Sequence, residues 1–298
     1  MQHKSVLVTG GAGFIGGHIA ERLAGDNQVA ILDIRPEQPA PGVDGIEGDI
    51  RDEDTVEATM QDVDVVFHEA AMVSVAESVA KPKESHAINA TGTLNILEAA
   101  RQHDARVVLA SSAAIYGDPE ETPVPETHPL DPTSPYGLDK LATDHYARLY
   151  DDLYDLETAA LRYFNVYGPG QTGGDYAGVI EVFLEQARNG DPITVHGDGT
   201  QTRDFVHVDD VVRANLLAAE TDSVGRAFNV GTGESVTIKR LAELIRDAVD
   251  SDSEIVHAEP REGDIQHSCA DITRAQEELG YDPDIGLKEG LQTLIESR

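Results

Sequence analysis

The opening segment SVLVTGGAGFIGGHIA (Ser5–Ala20) runs an apolar strand into glycines at three-residue spacing, Gly10, Gly13 and Gly16, and then into a helix beginning near Phe14. Read plainly, this is a tight strand-to-helix turn. Read more sharply, it is a pyrophosphate cradle. Without side chains, the backbone N–H groups of the turn, with Phe14 and Ile15 behind them, can approach an anion that the helix N-terminus favours. The next strand closes on Asp33, at the distance where such folds place a ribose-binding carboxylate. A carboxylate there accepts hydrogen bonds from an adenosine ribose and repels a 2′-phosphate, which selects NAD over NADP. Arg35 nearby tempers that preference.

The rest of the chain keeps the same rhythm. Strand-like runs SVLVTG, QVAILDI, DVVFHEA, RVVLASS, TAALRYFNV and AFNVG are separated, over the first five, by segments of helical spacing at 14–24, 55–60, 87–101 and 136–154. Short β-rich runs divided by helices predict βαβ units, hence an α/β fold with a Rossmann-type, doubly wound parallel sheet. The last third changes character. ITVHGDG, helices near 208–219 and 238–249, SEIVHAE and two short helices predict a smaller mixed α/β lobe. One short helix has Asp271 as its expected N-cap and Gly280 just past its end. The expected division is a dinucleotide domain over residues 1–165 plus about 205–235, and a substrate lobe over about 166–204 and 236–298. The segment Gly117–Pro135 carries six prolines and no periodicity, and reads as a surface loop bordering a site.

Composition excludes some partners. With 55 acidic against 22 basic residues the net charge is −33, spread along the whole chain, which opposes binding to nucleic acid or an anionic membrane. Only six of the basic residues are lysines, so a solvated surface adapted to high salt is the favoured reading, with a basic partner protein as the alternative. No apolar run is long enough to span a bilayer. No leader precedes the first strand and Cys269 stands alone, so a reducing cytoplasm is expected.

The chemistry-bearing residues cluster in the middle of the chain. SPYGLDK places Tyr136 and Lys140 one helical turn apart, behind Ser134 as N-cap and Pro135 at the first helical position. A tyrosine ordinarily titrates near 10, too high for a base at neutral pH. A neighbouring ammonium, a helix N-terminus and a bound nicotinamide cation would each lower it. A surface pair on an amphipathic helix is the plain alternative. Ser111 and Ser112 end a buried strand, where ligands gather in parallel sheets, though such a pair also caps backbone groups. Asp49 and Ile50, in GDIRD, border an adenine or form a solvated turn. No metal-ligand spacing stands out.

Taken in order, TGGAGFIG, HEAA, SSAAIYG, YGLDK, RYFNVYGPGQ, RDFVHVDD, FNVGTG and PREGD resemble the extended short-chain dehydrogenase/reductase family over nearly the whole chain, within its NAD-dependent nucleotide-sugar epimerase/dehydratase group. The resemblance is nearest to the UDP-hexose 4-epimerases. It implies Tyr136 as catalytic base, Lys140 as its partner on the nicotinamide ribose, and Ser112 as the catalytic hydroxyl. It implies cofactor contacts at Ala70 and Lys81, a structural asparagine at Asn89, and substrate contacts at Asn165, Arg203, Arg261, Asp264 and Ser268. The two arginines would grip the diphosphate, since a guanidinium matches phosphate in a bidentate way. Ser268, seven residues after Arg261, occupies a position that in relatives borders the sugar C2 substituent, and a small residue there admits N-acetylated sugars. Gly170 departs from an arginine common in relatives.

The resemblance also discriminates between reactions. Dehydratases of the group carry an acid just after the catalytic hydroxyl, as do its decarboxylases, whereas here those positions are Ala113 and Ala114. Alanine cannot deliver a proton, so C4 epimerisation of a UDP-sugar through a 4-keto sugar is expected. A 4-ketoreductase, a UDP-uronate 4-epimerase and a non-catalytic NAD-binding regulator stand as alternatives. A homodimer through helices near residues 90–103 and 136–155 is what the resemblance implies.

Overall fold

The computed structural model describes residues 1–36, 39–171, 178–260 and 263–297. Its strands are β1 (Ser5–Thr9), β2 (Gln28–Asp33), β3 (Val43–Glu47), β4 (Val65–His68), β5 (Arg106–Ser112), β6 (Thr158–Tyr163), β7 (Asn165–Tyr167), β8 (Ile193–His196), β9 (Thr202–Arg203), β10 (Phe205–His207), β11 (Arg226–Val230), β12 (Val236–Thr237) and β13 (Ile255–Ala258). Seven of them form one parallel sheet in the order β3-β2-β1-β4-β5-β6-β11. Helices cover both faces, so β4 and β6 are buried along their entire length, and the polar side chains this encloses, His68 and Arg162, are hydrogen-bonded. The strand order reverses between β1 and β4, and at such a switch point doubly wound sheets form a crevice at the carboxyl ends of their strands.

Two devices hold the layer that carries Tyr136 and Lys140. The helix Pro135–Tyr154 starts with the Ser134 hydroxyl accepting the Gly137 N–H at 3.1 Å and with Pro135 in its first turn. Midway along it, buried Asp144 takes two hydrogen bonds from Arg162 of β6, at 2.9 and 3.0 Å, and one from Ser111 at 3.1 Å. Burial works against the Asp144 charge, but Arg162 and Arg148 outweigh it and hold the carboxyl below its ordinary value.

The last third builds a separate core. β8 and β13 pair in parallel, and the helices Val179–Asn189, Ile238–Ala248 and Leu287–Glu296 close over them through Phe183, Leu184, Leu241, Ile245 and Leu294. The pairs β7–β10 and β9–β12 form two further two-stranded sheets.

Three local expectations are corrected. The helix expected over 87–101 is interrupted: Ala87–Thr91 forms a π-helical turn between Pro82–His86 and Gly92–His103, and the inserted residue presents Asn89 to a neighbouring loop. The run TAALRYFNV divides into β6 and β7, because the chain leaves the main sheet to pair with β10. Asp271 lies one residue before the N-cap position, which is Ile272, and its carboxylate accepts the Thr273 N–H at 2.9 Å. Gly280 does end that helix in the left-handed conformation.

Candidate active site

The glycine turn has the geometry of an anion cradle. Gly10 has φ of +67°, and a Cβ there would lie 2.7 Å from the Ala70 nitrogen, so this turn and the end of β4 touch backbone to backbone. A Cβ on Gly16 would meet the Gly10 carbonyl oxygen at 2.4 Å. Gly13 caps the helix Phe14–Leu23 in extended conformation, with no side-chain cap and no acidic residue in the first turn. In so acidic a chain, that leaves the positive end of a helix open to an anion. Asp33 at the end of β2 accepts the Ala12 N–H at 3.1 Å and the Arg35 N–H at 3.0 Å. Its carboxylate is thereby fixed beside the turn. These residues fit a dinucleotide: N–H donors for the pyrophosphate, and an oriented carboxylate for a ribose.

A buried chain of hydrogen bonds stiffens the same crevice. Thr9 Oγ1 meets His68 Nδ1 at 2.6 Å, His68 Nε2 meets Thr93 Oγ1 at 2.8 Å, and Thr93 donates to the Asn89 carbonyl at 2.6 Å. Since the Thr93 proton is spent on Asn89, His68 must donate from Nε2 and accept at Nδ1. Burial and the nearby Lys140 push its pKa down to about 3, so it stays neutral. Asn89 clamps the loop after β4, accepting the Met72 N–H at 2.8 Å and donating to the Met72 carbonyl at 3.0 Å.

Tyr136, Lys140 and Ser112 converge at the end of β5. The Lys140 ammonium is buried and donates to the Ala110 carbonyl at 2.7 Å. One turn earlier, the Tyr136 N–H donates to Ser78 at 3.1 Å, and the Tyr136 phenol is hydrogen-bonded by Ser112 in a way that favours the phenolate. Ser112 also accepts the Ala114 N–H at 3.1 Å. The expected lowering of the tyrosine pKa by its lysine is corrected: burial and the charge of Glu69 hold it above the ordinary value. Burial lowers Lys140 in turn, against the opposing effects of Glu69 and Asp139.

The remaining expected residues divide. Asn165, Arg203, Asp264 and Ser268 gather around Asp204. Asn165 donates its N–H and its Nδ2 to the Asp204 carbonyl at 3.0 and 2.9 Å, and the Ser268 N–H donates to the Thr202 carbonyl at 3.2 Å. Arg203 forms an ion pair with Asp264 and donates to the Thr202 carbonyl at 2.7 Å. Ser268 is buried. Arg261 lies outside the described residues. Ser111 turns away to Asp144, so its hydroxyl faces the buried ion pair. Ile50 is buried against Gly92, and Asp49 is held by Arg51 in the adjoining turn. Lys81 is exposed and pairs with Glu77 at 3.0 Å and Glu84 at 3.6 Å. Gly170 has φ of +84° and leaves 3.5 Å between a hypothetical Cβ and His18. Among the described residues no group of three or more His, Cys, Asp or Glu could hold a metal ion.

Two residues escaped the sequence reading. The Asp204 carboxylate accepts the Thr232 N–H at 2.9 Å, the Thr232 hydroxyl at 2.7 Å, the Gly233 N–H at 3.1 Å and the Ala270 N–H at 3.0 Å, joining three segments of the chain. Glu69 accepts the Tyr163 hydroxyl at 2.8 Å, and burial raises its carboxyl well above the carboxylate range. Both stand inside motifs, RDF and HEAA, whose neighbours drew the attention.

The profile of the NAD dependent epimerase/dehydratase family matches residues 6–231. A protein of Methanocaldococcus jannaschii, provisionally named a UDP-glucose 4-epimerase, is 43% identical over 97% of both chains. Among solved structures, a UDP-N-acetylglucosamine 4-epimerase from Methanobrevibacter ruminantium in complex with UDP-N-acetylmuramic acid superposes with a TM-score of 0.95 at 37% identity, over 100% of this chain and 98% of that one. A UDP-glucose 4-epimerase with UDP-glucose from Thermotoga maritima superposes with a TM-score of 0.94 at 38% identity, over 98% of both chains.

Replacing Gly10 by alanine tests the cradle. The methyl group collides with the backbone at Ala70, and the left-handed conformation is strained, so affinity for the dinucleotide should fall on the order of tenfold or more. Quantifying NAD released on denaturation of the purified variant reads this directly; full wild-type retention would contradict it.

Proposed function

Because the chain belongs to the NAD dependent epimerase/dehydratase family, we propose that it inverts C4 of a UDP-hexose, interconverting UDP-glucose and UDP-galactose. One observation carries this choice of reaction. Tyr136 and Ser112 form a base and a hydroxyl clamp beside a dinucleotide cradle, and the two positions after Ser112, where dehydration would need an acid, are Ala113 and Ala114.

Each residue then has a task. Gly10, Gly13 and the first turn of the helix Phe14–Leu23 would hold the pyrophosphate of NAD, Asp33 its adenosine ribose, and Lys140 the nicotinamide ribose. When bound, NAD supplies an acceptor for the C4 hydride that can return it. Tyr136 removes the proton of the sugar 4-hydroxyl and later gives it back, while Ser112 orients that oxygen. A 4-keto sugar free to turn about its diphosphate bonds would present its other face to the site. Arg203, with Arg261, keeps the diphosphate in place during that turn. No net redox change occurs, and the protein contributes position and electrostatics.

Finer features belong to the same proposal. Ser268 leaves room for an acetamido group, so UDP-GlcNAc and UDP-GalNAc are also substrates. The helix Pro135–Tyr154 exposes Leu138, Tyr146, Leu149 and Leu153, an apolar stripe suited to a second copy of the chain. The charge of −33 suits a salt-rich cytoplasm, where ions screen self-repulsion. Among the described residues no helix is long and apolar enough to cross a membrane.

Purified protein given UDP-glucose and no added cofactor should produce UDP-galactose. Tyr136→Phe should reduce turnover by about 10²–10⁴-fold while retaining bound NAD. Product formation that requires added reduced cofactor would point instead to a ketoreductase. Ser268→Tyr should lower kcat/KM for UDP-GlcNAc relative to UDP-glucose by roughly tenfold or more; an unchanged ratio would remove Ser268 from the sugar pocket. Sedimentation and thermal melting at low and molar KCl address the surface: a dimer whose melting temperature rises with salt is expected, and a salt-independent monomer would contradict both readings.

A further inference from the structure

The helical turn that carries Tyr136 and Lys140 is held by two sets of contacts. The first comes from β5, where Lys140 docks on the Ala110 carbonyl at 2.7 Å and the Tyr136 phenol meets Ser112. The second comes from two short helices, Val75–Ala80 and Pro82–His86, which so far have no task in the reaction. The backbone donors at the start of the helix Pro135–Tyr154 show what the first of them does. Pro135 has no N–H. The Ser134 hydroxyl takes the Gly137 N–H at 3.1 Å, and the Ser134 carbonyl takes the Leu138 N–H at 2.9 Å. The Tyr136 N–H is served by neither its own helix nor its own cap. It donates to the Ser78 hydroxyl of the helix Val75–Ala80 at 3.1 Å.

Ser78 is fully buried and spends its own proton on the Val75 carbonyl at 2.7 Å, so a lone pair is left for Tyr136 in a fixed direction. Further along the same turn, the Asp139 carboxylate accepts the Ser85 hydroxyl at 2.7 Å and meets His86 Nδ1 at 2.8 Å, both from the helix Pro82–His86. The loop that enters these helices is itself clamped at Met72 by Asn89. We propose that Ser78 is a positioning residue for the base: it holds the Tyr136 backbone and thereby sets how the phenol meets Ser112. The inference rests on the reading of Tyr136 as the base.

A helix start that faces water leaves such a donor to solvent, which imposes no direction on it. Here the acceptor is a buried side chain of another element, so the N–H fixes one helix against the other. Without the Ser78 oxygen, the turn keeps its anchors at Asp139 and Lys140, and its first residue with an N–H is released. The phenol then shifts at the free end of the helix while the ammonium keeps its acceptor. The glycine cradle and the region around Asp204 stand on other elements. The loss therefore falls on the chemical step and leaves binding of cofactor and substrate in place.

In NAD-loaded enzyme, Ser78→Ala should lower kcat for UDP-glucose on the order of tenfold, the scale set by small misplacements of a reacting group. KM and the NAD released on denaturation should stay at wild-type values. Ser74→Ala is the control: the Ser74 hydroxyl caps the same short helix, accepting the Glu77 N–H at 3.0 Å, a bond within its own element. It should leave kcat unchanged. Adding Ser78→Ala to Ser112→Ala should cost less than Ser78→Ala alone, since both act on the placement of one phenol. Amide hydrogen exchange at Tyr136 reads the bond itself and should quicken in Ser78→Ala. An unchanged kcat or unchanged exchange in Ser78→Ala would overturn the proposal. An equal loss of kcat in Ser74→Ala, or full additivity with Ser112→Ala, would reduce Ser78 to a packing residue and overturn it too. Should Ser78→Ala fail to fold, Ser78→Cys fills the buried site with a weak acceptor and should show the same loss of kcat; no loss there would count against the proposal. Absence of epimerase activity in wild-type protein would instead defeat the functional reading, while exchange at Tyr136 would still decide whether Ser78 holds that backbone.

Discussion

The hydrogen bond from Lys140 to the Ala110 carbonyl, 2.7 Å long and buried, ties the chemistry to the scaffold. A lysine placed there gives up hydration and needs a fixed acceptor in return. The strand end supplies one, and in doing so fixes the height of the helix Pro135–Tyr154 against β5. Tyr136, one turn earlier, then meets Ser112, two residues further along the same strand. The Asp144–Arg162 pair fastens that helix to β6 at a second point, so it cannot roll. Tyr136 and Ser112 are thus set by backbone positions at the end of β5.

The region around Asp204 is organised differently. Strands β7, β9, β10 and β12 are only two or three residues long, and beside their pairing Asp204, between β9 and β10, ties them to the turn at Thr232–Gly233 and to Ala270. Burial raises the Asp204 carboxyl, which its four hydrogen bonds counter. Arg203, next to it, pairs with Asp264, which holds a partly buried guanidinium in one orientation. The proline-rich segment after Ser112 connects the two sides: Val124 exchanges backbone hydrogen bonds with Cys269 and Asp271, and Asp118 acts on the charge of Arg203.

What could be read in advance follows from the range of each signal. The cradle, β1, β2, β4, β5, β6, β11 and the helix carrying Tyr136 are legible because glycine spacing, apolar runs and a Ser-Pro start are local patterns with local causes. The helix Val179–Asn189 carries an equally plain period, through Ile180, Phe183, Leu184 and Ala187, and went unassigned. The short strands were beyond reach, since two residues hold no periodicity. The π turn at Ala87–Thr91 was likewise hidden: its cause is the clamp from Asn89 onto Met72, a contact with another segment. Electrostatics was the least legible. Tyr136 and Lys140 read as a pair whose charges help each other, and only the fold supplies the burial that works against both.

The resulting account is of a site that moves one proton and one hydride and consumes nothing. The most direct test uses UDP-glucose carrying deuterium at C4, with the purified enzyme in ordinary water. Hydride transfer out and back within one closed site predicts UDP-galactose that retains the deuterium at C4, with none released to solvent. Loss of the label to water, or inversion at a different carbon, would contradict the account.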